Sequence, residues 1–305
     1  MANKYTFAKR LVDMSVYIIV LIIGSIVRKI SLNSALKLGF VIGNIVYSIL
    51  KKRRQIALKN LHMVFKDKTS KELEIIAKQS FQNMGKTLVE FLRFPKYNAD
   101  QIMNMVELEG IEHLDQAINS GRGVLIVTAH FGNWELIFHV LASKTRKLSA
   151  VAQRFKNHRL DSLVNRYRII HGGEIIEKKL AGRQVLRHLK NGYCVVILGD
   201  QDAGQNGVFI DFLGISASMA KGPIMFATRA NVPILNVFDI RRDDGSHLIT
   251  IFKPLETRSS DDSEADLIEN TIRLNSALED LIRKFPSQWL WMHNRWKTRP
   301  LNPYK

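Results

Sequence analysis

The stretch that decides the fold is GVLIVTAHFGNWELIFHVLAS, residues 123–143. It opens as a strongly apolar, β-like run and passes directly into a helical pattern. The strand is expected to end near Ala129. Asn133 is suited to cap a helix starting at Trp134, because its side-chain oxygen can accept from an N–H of the first turn. His130 then lies in the connecting loop and Glu135 in the first helical turn.

Working outward, KELEIIAKQSFQNMGKTLVEFLRF upstream places Leu73, Ile76, Ala77, Phe81, Met84, Leu88 and Phe91 at three- and four-residue intervals, which predicts a core-facing helix ending before Pro95. From Val106 onward apolar runs alternate with helical patterns: GVLIVTA then NWELIFHVLAS, LSAVAQ then HRLDSLVNRYRIIH, CVVILG, KGPIMFATRAN then VPILNVFDIRR, and LITIFKPL then a long helix near Glu264 to Lys284. RSSDDSE, from Arg258, reads as a surface loop capping that helix. The expected fold class is α/β, a mostly parallel central sheet flanked by helices, with an N-terminal apolar membrane-anchor helix. There is no internal repeat and no Pro- or Gly-rich linker. The expected division is an anchor with a basic juxtamembrane segment over 1–60 and a catalytic domain over 61–305.

Across 305 residues there are 45 Lys and Arg against 28 Asp and Glu, a net charge of +17. Position narrows the possible acidic partners. The first 60 residues hold eleven cations and one acid, Asp13, and the last 23 hold six cations and no acid. Residues 61–282 are close to neutral. A nucleic-acid domain would more often spread its basic residues through the folded body, so this pattern points to a membrane surface and away from nucleic acid. The apolar run Leu11 to Val27 lies between Lys9-Arg10 and Arg28-Lys29, close to the roughly 20 residues of a spanning helix, and no small-residue cleavage site follows it. A second run, ALKLGFVIGNIVYSIL, ends in Lys51 to Arg54, a cluster that favours the cytoplasmic side. The alternative is two buried helices of a soluble protein. Cys194, the single cysteine, sits in a strand pattern as a packed apolar residue, which fits a reducing compartment.

Ligand crevices of open parallel sheets form at the carboxyl ends of strands, where His130 falls. A nearby carboxylate can fix an imidazole's tautomer while the other ring nitrogen takes a proton from a hydroxyl. G-x-S-x-G does not occur and Cys194 is inside a strand, so the base would act on a substrate hydroxyl directly. The competing reading is a satisfied polar pair without catalytic work. Zinc is not expected, since H-x4-E does not place two ligands on one helix face. No metal or cofactor is expected.

AHFGNWE resembles the H-x4-D/E motif of the lysophospholipid acyltransferase superfamily and, in this wording, the bacterial lipid A biosynthesis (late) acyltransferase family. Three later stretches are similar to that family in the same order: Val151 to Ile176, its arginine-containing block; VVILGDQDAGQNGVFIDFLGISASMAKGPIMFATRANVPIL; and QWLWMHNRWKTRP. The resemblance runs from about Arg93 to Pro300. It implies transfer of a fatty acyl chain from acyl carrier protein, or coenzyme A, to a hydroxyl of a lipid A precursor at the cytoplasmic face of the inner membrane. By motif, His130 is implied as general base and Glu135 as its orienting carboxylate. Arg154 and Arg168 match the arginine block, suited to phosphate or sugar-carboxylate recognition. Asp200, with Gln201 and Asp202, follows a strand and is expected at the same crevice, to orient a basic residue or the sugar or else to cap its loop, and Asn133 completes the expected substrate-binding set.

DFLGI and QRFKN depart from the family's commoner wording, which leaves the acceptor open. The alternatives are another glycolipid, such as a mannosylated phosphatidylinositol, and a non-enzymatic basic module binding membrane or nucleic acid. Trp289, Trp291 and Trp296, interleaved with cations, read either as an interfacial aromatic belt or as a closing segment packed on the core. His139 and His293 are expected to be structural.

Overall fold

A computed structural model describes residues 7–300. Four helices come first: α1 (Phe7–Lys29), α2 (Leu32–Ile49), α3 (Lys51–Val64) and α4 (Ser70–Phe91). Thr69 and Glu72 start α4 with a capping box, each side chain bonding the other's backbone N–H. A short α5 (Ala99–Met103) leads into the alternating part: β1 (Val106–Glu109), α6 (Ile111–Asn119), β2 (Val124–Thr128), α7 (Trp134–Lys144), β3 (Leu148–Ala152), α8 (His158–Arg168), β4 (Glu174–Glu177), α9 (Ala181–Lys190) and β5 (Cys194–Leu198). After a hairpin of β6 (Val208–Phe212) and β7 (Ile215–Met219) come α10 (Gly222–Ala230), β8 (Ile234–Arg241), β9 (His247–Ile251) and α11 (Ser263–Lys284).

The main sheet has the order β1-β9-β8-β2-β5-β3-β4. β8, β2, β5, β3 and β4 are mutually parallel, while β9 runs antiparallel to β8 and pairs parallel with β1. Every residue of β2 is buried, as its unbroken apolar run requires for a central strand covered on both faces. The expected α/β architecture with a mostly parallel sheet is therefore the observed one. One pair is ordered differently from the rest: KGPIMFATRAN is the helix and VPILNVFDIRR the strand. Pro223 fits the first turn of α10, where its missing N–H has no intrahelical partner anyway. Asn231, in the left-handed conformation at φ 52°, ends the helix before the β-branched run.

The N-terminal helices share a core with the sheet domain. Gly39 and Gly43 of α2 lie against Gly85 of α4 so closely that a Cβ on Gly43 would stand 2.5 Å from the Phe81 carbonyl oxygen, and one on Gly85 2.1 Å from that of Gly39. α3 carries the chain through position 60 with Ala57, Asn60 and Leu61 buried. Arg93, 2% exposed, donates to the carbonyls of Val27 and Ile30 at the end of α1, and Arg28 donates to the Leu92 carbonyl at 3.0 Å. Lys9–Lys29 and Leu32–Ile49 are both long and apolar enough to cross a membrane by length and composition. Their outer faces expose Leu11, Val12, Val16, Ile19, Ile22 and Ile26 on α1, and Phe40, Val41 and Ile45 on α2.

The C-terminal tryptophans belong to the core. Trp289, Trp291 and Trp296 are 3%, 0% and 4% exposed and pack against Phe212 and Phe65. Of the two readings of QWLWMHNRWKTRP, the closing segment is the one the fold adopts.

Candidate active site

The carboxyl ends of β2 and β5 are neighbours, and the loops leaving them carry His130 and Asp200. The His130 ring Nδ1 lies 2.8 Å from Asp200 Oδ1, and the His130 backbone N–H donates to Asp200 Oδ2 at 3.1 Å. Trp289 Nε1–H adds a third bond to Asp200 Oδ2 at 2.9 Å. Burial alone would raise the Asp200 carboxyl, but the His130 imidazole and these three hydrogen bonds hold it below the usual range. With Asp200 as a carboxylate acceptor, the 2.8 Å contact calls for a proton on Nδ1 and turns Nε2 away from Asp200. Nε2 faces the Gln201 side-chain nitrogen at 3.4 Å. The His130 side chain is 20% exposed and Asp200 only 3%, so the imidazole meets solvent while its partner does not.

This corrects the expectation that Glu135 orients His130. Glu135 is held instead by Arg168, in a two-bond pair of 2.9 Å and 2.6 Å. A helical residue at this spacing projects over the side of α7, toward α8, whereas a residue leaving the adjacent strand β5 meets His130 head-on. The same pair commits Arg168, expected in substrate recognition, to an internal carboxylate. Arg154 is 64% exposed and pairs with Glu177 at 3.2 Å. Asp202 is engaged by the C-terminal segment, accepting from Thr298 at 2.8 Å with Lys297 at 3.6 Å. Its backbone N–H donates to His293 Nε2 at 3.2 Å, and burial pushes the His293 imidazole down to about 4.

Asn133 was expected to touch substrate, yet it is fully buried and supports the loop from below. Its side-chain oxygen caps α7 at Leu136 N (3.2 Å), its amide donates to Glu90 at 2.8 Å, and its backbone N–H donates to Asp239 at 2.6 Å. Glu90 and Asp239 are two corners of a buried square completed by Arg241 and His247. Arg241 forms a double bond pair with Glu90, and His247 bridges Asp239 (2.9 Å) and Glu90 (3.2 Å). Burial opposes charge on both ionised partners, but Arg241 and His247 hold Glu90 down at about 2, and Asp239 and Glu90 lift His247 to about 9. These four groups were not anticipated. Their signal was a single acid or base in apolar surroundings, Glu90 near the end of VEF and Asp239 within NVFDI. A cavity of about 500 Å³ opens beside this square, between Leu36, Phe94, Tyr97, Met105 and Leu136.

Gly132 makes the loop possible. It sits at φ +57°, and a Cβ there would be 2.0 Å from the Asp239 carbonyl oxygen. The C-terminal segment then clamps the loop from outside: Gly132 N–H donates to Gln288 O at 3.0 Å and Leu290 N–H to His130 O at 3.1 Å. His130 itself opens into a small cleft lined by Ser80, Asn83, Met84 and Trp134. His139, as expected, is structural: it is 1% exposed and pushed down to about 3 by burial and by neighbouring His171 and Arg168.

Fold and site together define an α/β enzyme built around a carboxylate-held histidine at the mouth of a parallel sheet. Residues 5–298 match the bacterial lipid A biosynthesis acyltransferases: the chain belongs to that family and is an acyltransferase. It is 28% identical over 271 residues to the lipid A biosynthesis palmitoleoyltransferase of Escherichia coli K12, covering 87% of this chain and 85% of that one. The lauroyltransferase of the same organism is 26% identical over 268 residues, with 87% and 85% covered. A phosphatidylinositol mannoside acyltransferase from Mycobacterium tuberculosis is 27% identical over 162 residues, 51% of each chain. Superposition on the crystal structure of the 1-acyl-sn-glycerophosphate acyltransferase PlsC of Thermotoga maritima gives a TM-score of 0.40 at 14% identity, covering 85% of this chain and 99% of that one.

Proposed function

We propose that this membrane-associated acyltransferase moves a fatty acyl chain from an acyl carrier protein or coenzyme A thioester to a hydroxyl of a lipid A precursor, with His130 as general base. The observation that carries the mechanism is the His130–Asp200 pair, which engages Nδ1 and leaves Nε2 as the ring nitrogen placed to take a proton at the mouth of the cleft. Support for the lipid acceptor comes from the relatives named above.

In the attacking step the acceptor hydroxyl displaces the Gln201 amide from Nε2 and gives up its proton there as its oxygen bonds to the thioester carbonyl carbon. Asp200 stabilises the imidazolium that forms and does not itself take the proton. The tetrahedral oxyanion then collapses, the carbon–sulfur bond breaks, and the imidazolium returns its proton to the departing thiolate. No covalent acyl-enzyme is needed, because the substrate supplies the nucleophile.

The test is transfer of labelled acyl chain from charged acyl carrier protein to a tetra-acylated lipid A precursor. We expect transfer by the wild type and its loss in His130→Ala. Full transfer by that variant, or a strict need for added metal, would overturn the mechanism. Transfer to a mannosylated phosphatidylinositol in place of the lipid A precursor would overturn the acceptor.

A further inference from the structure

The near-neutral middle of the chain conceals a strongly basic stretch. Residues 153–190 carry ten Lys and Arg against three Asp and Glu. They form the loop after β3, then α8, β4 and α9, at the β3–β4 end of the sheet. Because β2, β5, β3 and β4 are parallel, the loops leaving β3 and β4 lie on the same edge as His130 and Asp200.

Both loops hold an apolar side chain out in the open. Phe155 is 42% exposed and Leu180 is 56% exposed. Around them Arg154, Arg159, Lys178, Lys179 and Arg183 are all exposed. Arg154 and Glu177 join the two loops at 3.2 Å, and Asn157 joins the first loop to α1 by donating to the Asp13 carbonyl at 2.7 Å. Through these two contacts the part of α1 that exposes Leu11, Val12 and Val16 is tied to the loops that expose Phe155 and Leu180.

α1 is docked on the domain near both ends, at Asp13 by Asn157 and at Arg28 by Leu92 and Tyr167. A helix fastened along a charged neighbour such as α8 cannot cross a bilayer without drawing that neighbour's polar groups into hydrocarbon. An exposed apolar stripe edged by cations is instead the pattern of a helix lying in the interface plane.

We propose that the chain binds an anionic lipid surface monotopically, with α1 in the plane of the interface and the Phe155 and Leu180 loops as a second contact on the catalytic edge. Its relevance to acylation rests on the lipid acceptor proposed above, since this placement lets such a lipid approach His130 from the bilayer. Binding itself is measured without catalysis, so failure of the transfer assay would leave it standing.

The probes are vesicles of phosphatidylcholine with and without phosphatidylglycerol, sedimented with the full-length protein. Phe155→Ser/Leu180→Ser is expected to weaken binding to both, and Lys178→Glu/Lys179→Glu to weaken it on the order of tenfold on the anionic vesicles only. Both variants should melt as the wild type does, because all four side chains are exposed. Unchanged vesicle binding in both variants would overturn the proposal. So would a loss confined to binding of acyl carrier protein, which would make the patch a protein-docking surface. Orientation is read separately with a fluorophore on Val12→Cys, Ile19→Cys or Ile26→Cys, the sole native Cys194 being buried. Equal quenching by headgroup-level nitroxides at all three positions is expected. Deepest quenching of Ile19 by chain-end nitroxides would mean a spanning helix and sink the in-plane assignment.

Discussion

Asp200→Asn is the sharpest test of the site, because asparagine keeps the shape of the side chain and changes only what it can donate. Its oxygen can still accept from Trp289 and from the His130 backbone N–H, the two bonds at 2.9 Å and 3.1 Å. Its NH₂ then faces His130 Nδ1, 2.8 Å from the position now held by Oδ1. Two donors cannot share that contact, so Nδ1 must accept and the ring proton moves to Nε2. A base protonated at its working nitrogen cannot take the acceptor's proton. The same change of tautomer in a serine-protease triad costs about 10⁴ in kcat, equivalent to roughly 5 kcal/mol of transition-state stabilisation. We expect a loss of that order in kcat with KM little changed, since Asp200 is too buried to touch substrate. The comparison variant is Glu135→Gln, which strips Arg168 of its charged partner. Those side chains are 13% and 19% exposed, so the loss should be mainly in stability, about 1–3 kcal/mol after allowance for solvent screening. Its kcat, measured on folded protein, should stay within about tenfold of wild type. Steady-state transfer kinetics beside thermal melts separate the two effects. Asp200→Asn retaining more than about a tenth of wild-type kcat, or Glu135→Gln matching its loss with an unaltered melt, would refute the assignment.

Two further outcomes follow from the buried supports of the loop. Gly132→Ala places a Cβ 2.0 Å from a backbone oxygen at a left-handed φ, which costs about 1–2 kcal/mol from conformation alone, so both activity and melting temperature should fall; a wild-type melt would contradict the geometry. The His247 imidazole, lifted from 6.5 to about 9 in the folded protein, contributes stability that is fully present below about pH 6.5 and disappears as pH rises through 9, at most roughly 3 kcal/mol. Urea unfolding across that window should show the decline in the wild type and a flatter profile in His247→Gln, while equal profiles would remove His247 as the cause.

Much of the fold was legible because its signals are local. The run from Gly123 to Ser143 displays a strand, a cap and a helix in consecutive residues, and the structure places the strand end and the Asn133 cap where the pattern predicts them. KGPIMFATRAN and VPILNVFDIRR were harder to read, since both are apolar and of similar length. The deciding cues were Pro223 at a helix start and Asn231 at its end, with β-branched residues after them. The tryptophans near the C-terminus offered no cue at all. An aromatic flanked by cations suits a lipid interface and a domain core equally, and only the partners Phe212 and Phe65, distant in sequence, select the core.

The site was legible as a set of residues but not as a set of bonds. His130, Glu135, Arg168 and Asp200 are all marked, yet the H-x4-E motif implies Glu135, the carboxylate nearest in sequence, as the histidine's partner. Parallel sheets work against that assumption. Adjacent strands β2 and β5 are separated by nearly seventy residues, and the loops leaving their carboxyl ends meet at a few ångströms. Glu135, only five residues from His130, is carried off by the helix toward α8. The arrangement also explains why two carboxylates are present. Asp200 holds the His130 imidazole and, in the proposed mechanism, fixes its tautomer, while Glu135 secures Arg168 and so ties α7, the helix that begins at the loop, to α8. A buried acid that touches the base governs rate, and one that touches only an arginine governs position. The contrast between Asp200→Asn and Glu135→Gln should therefore appear as a kinetic defect in one protein and a stability defect in the other.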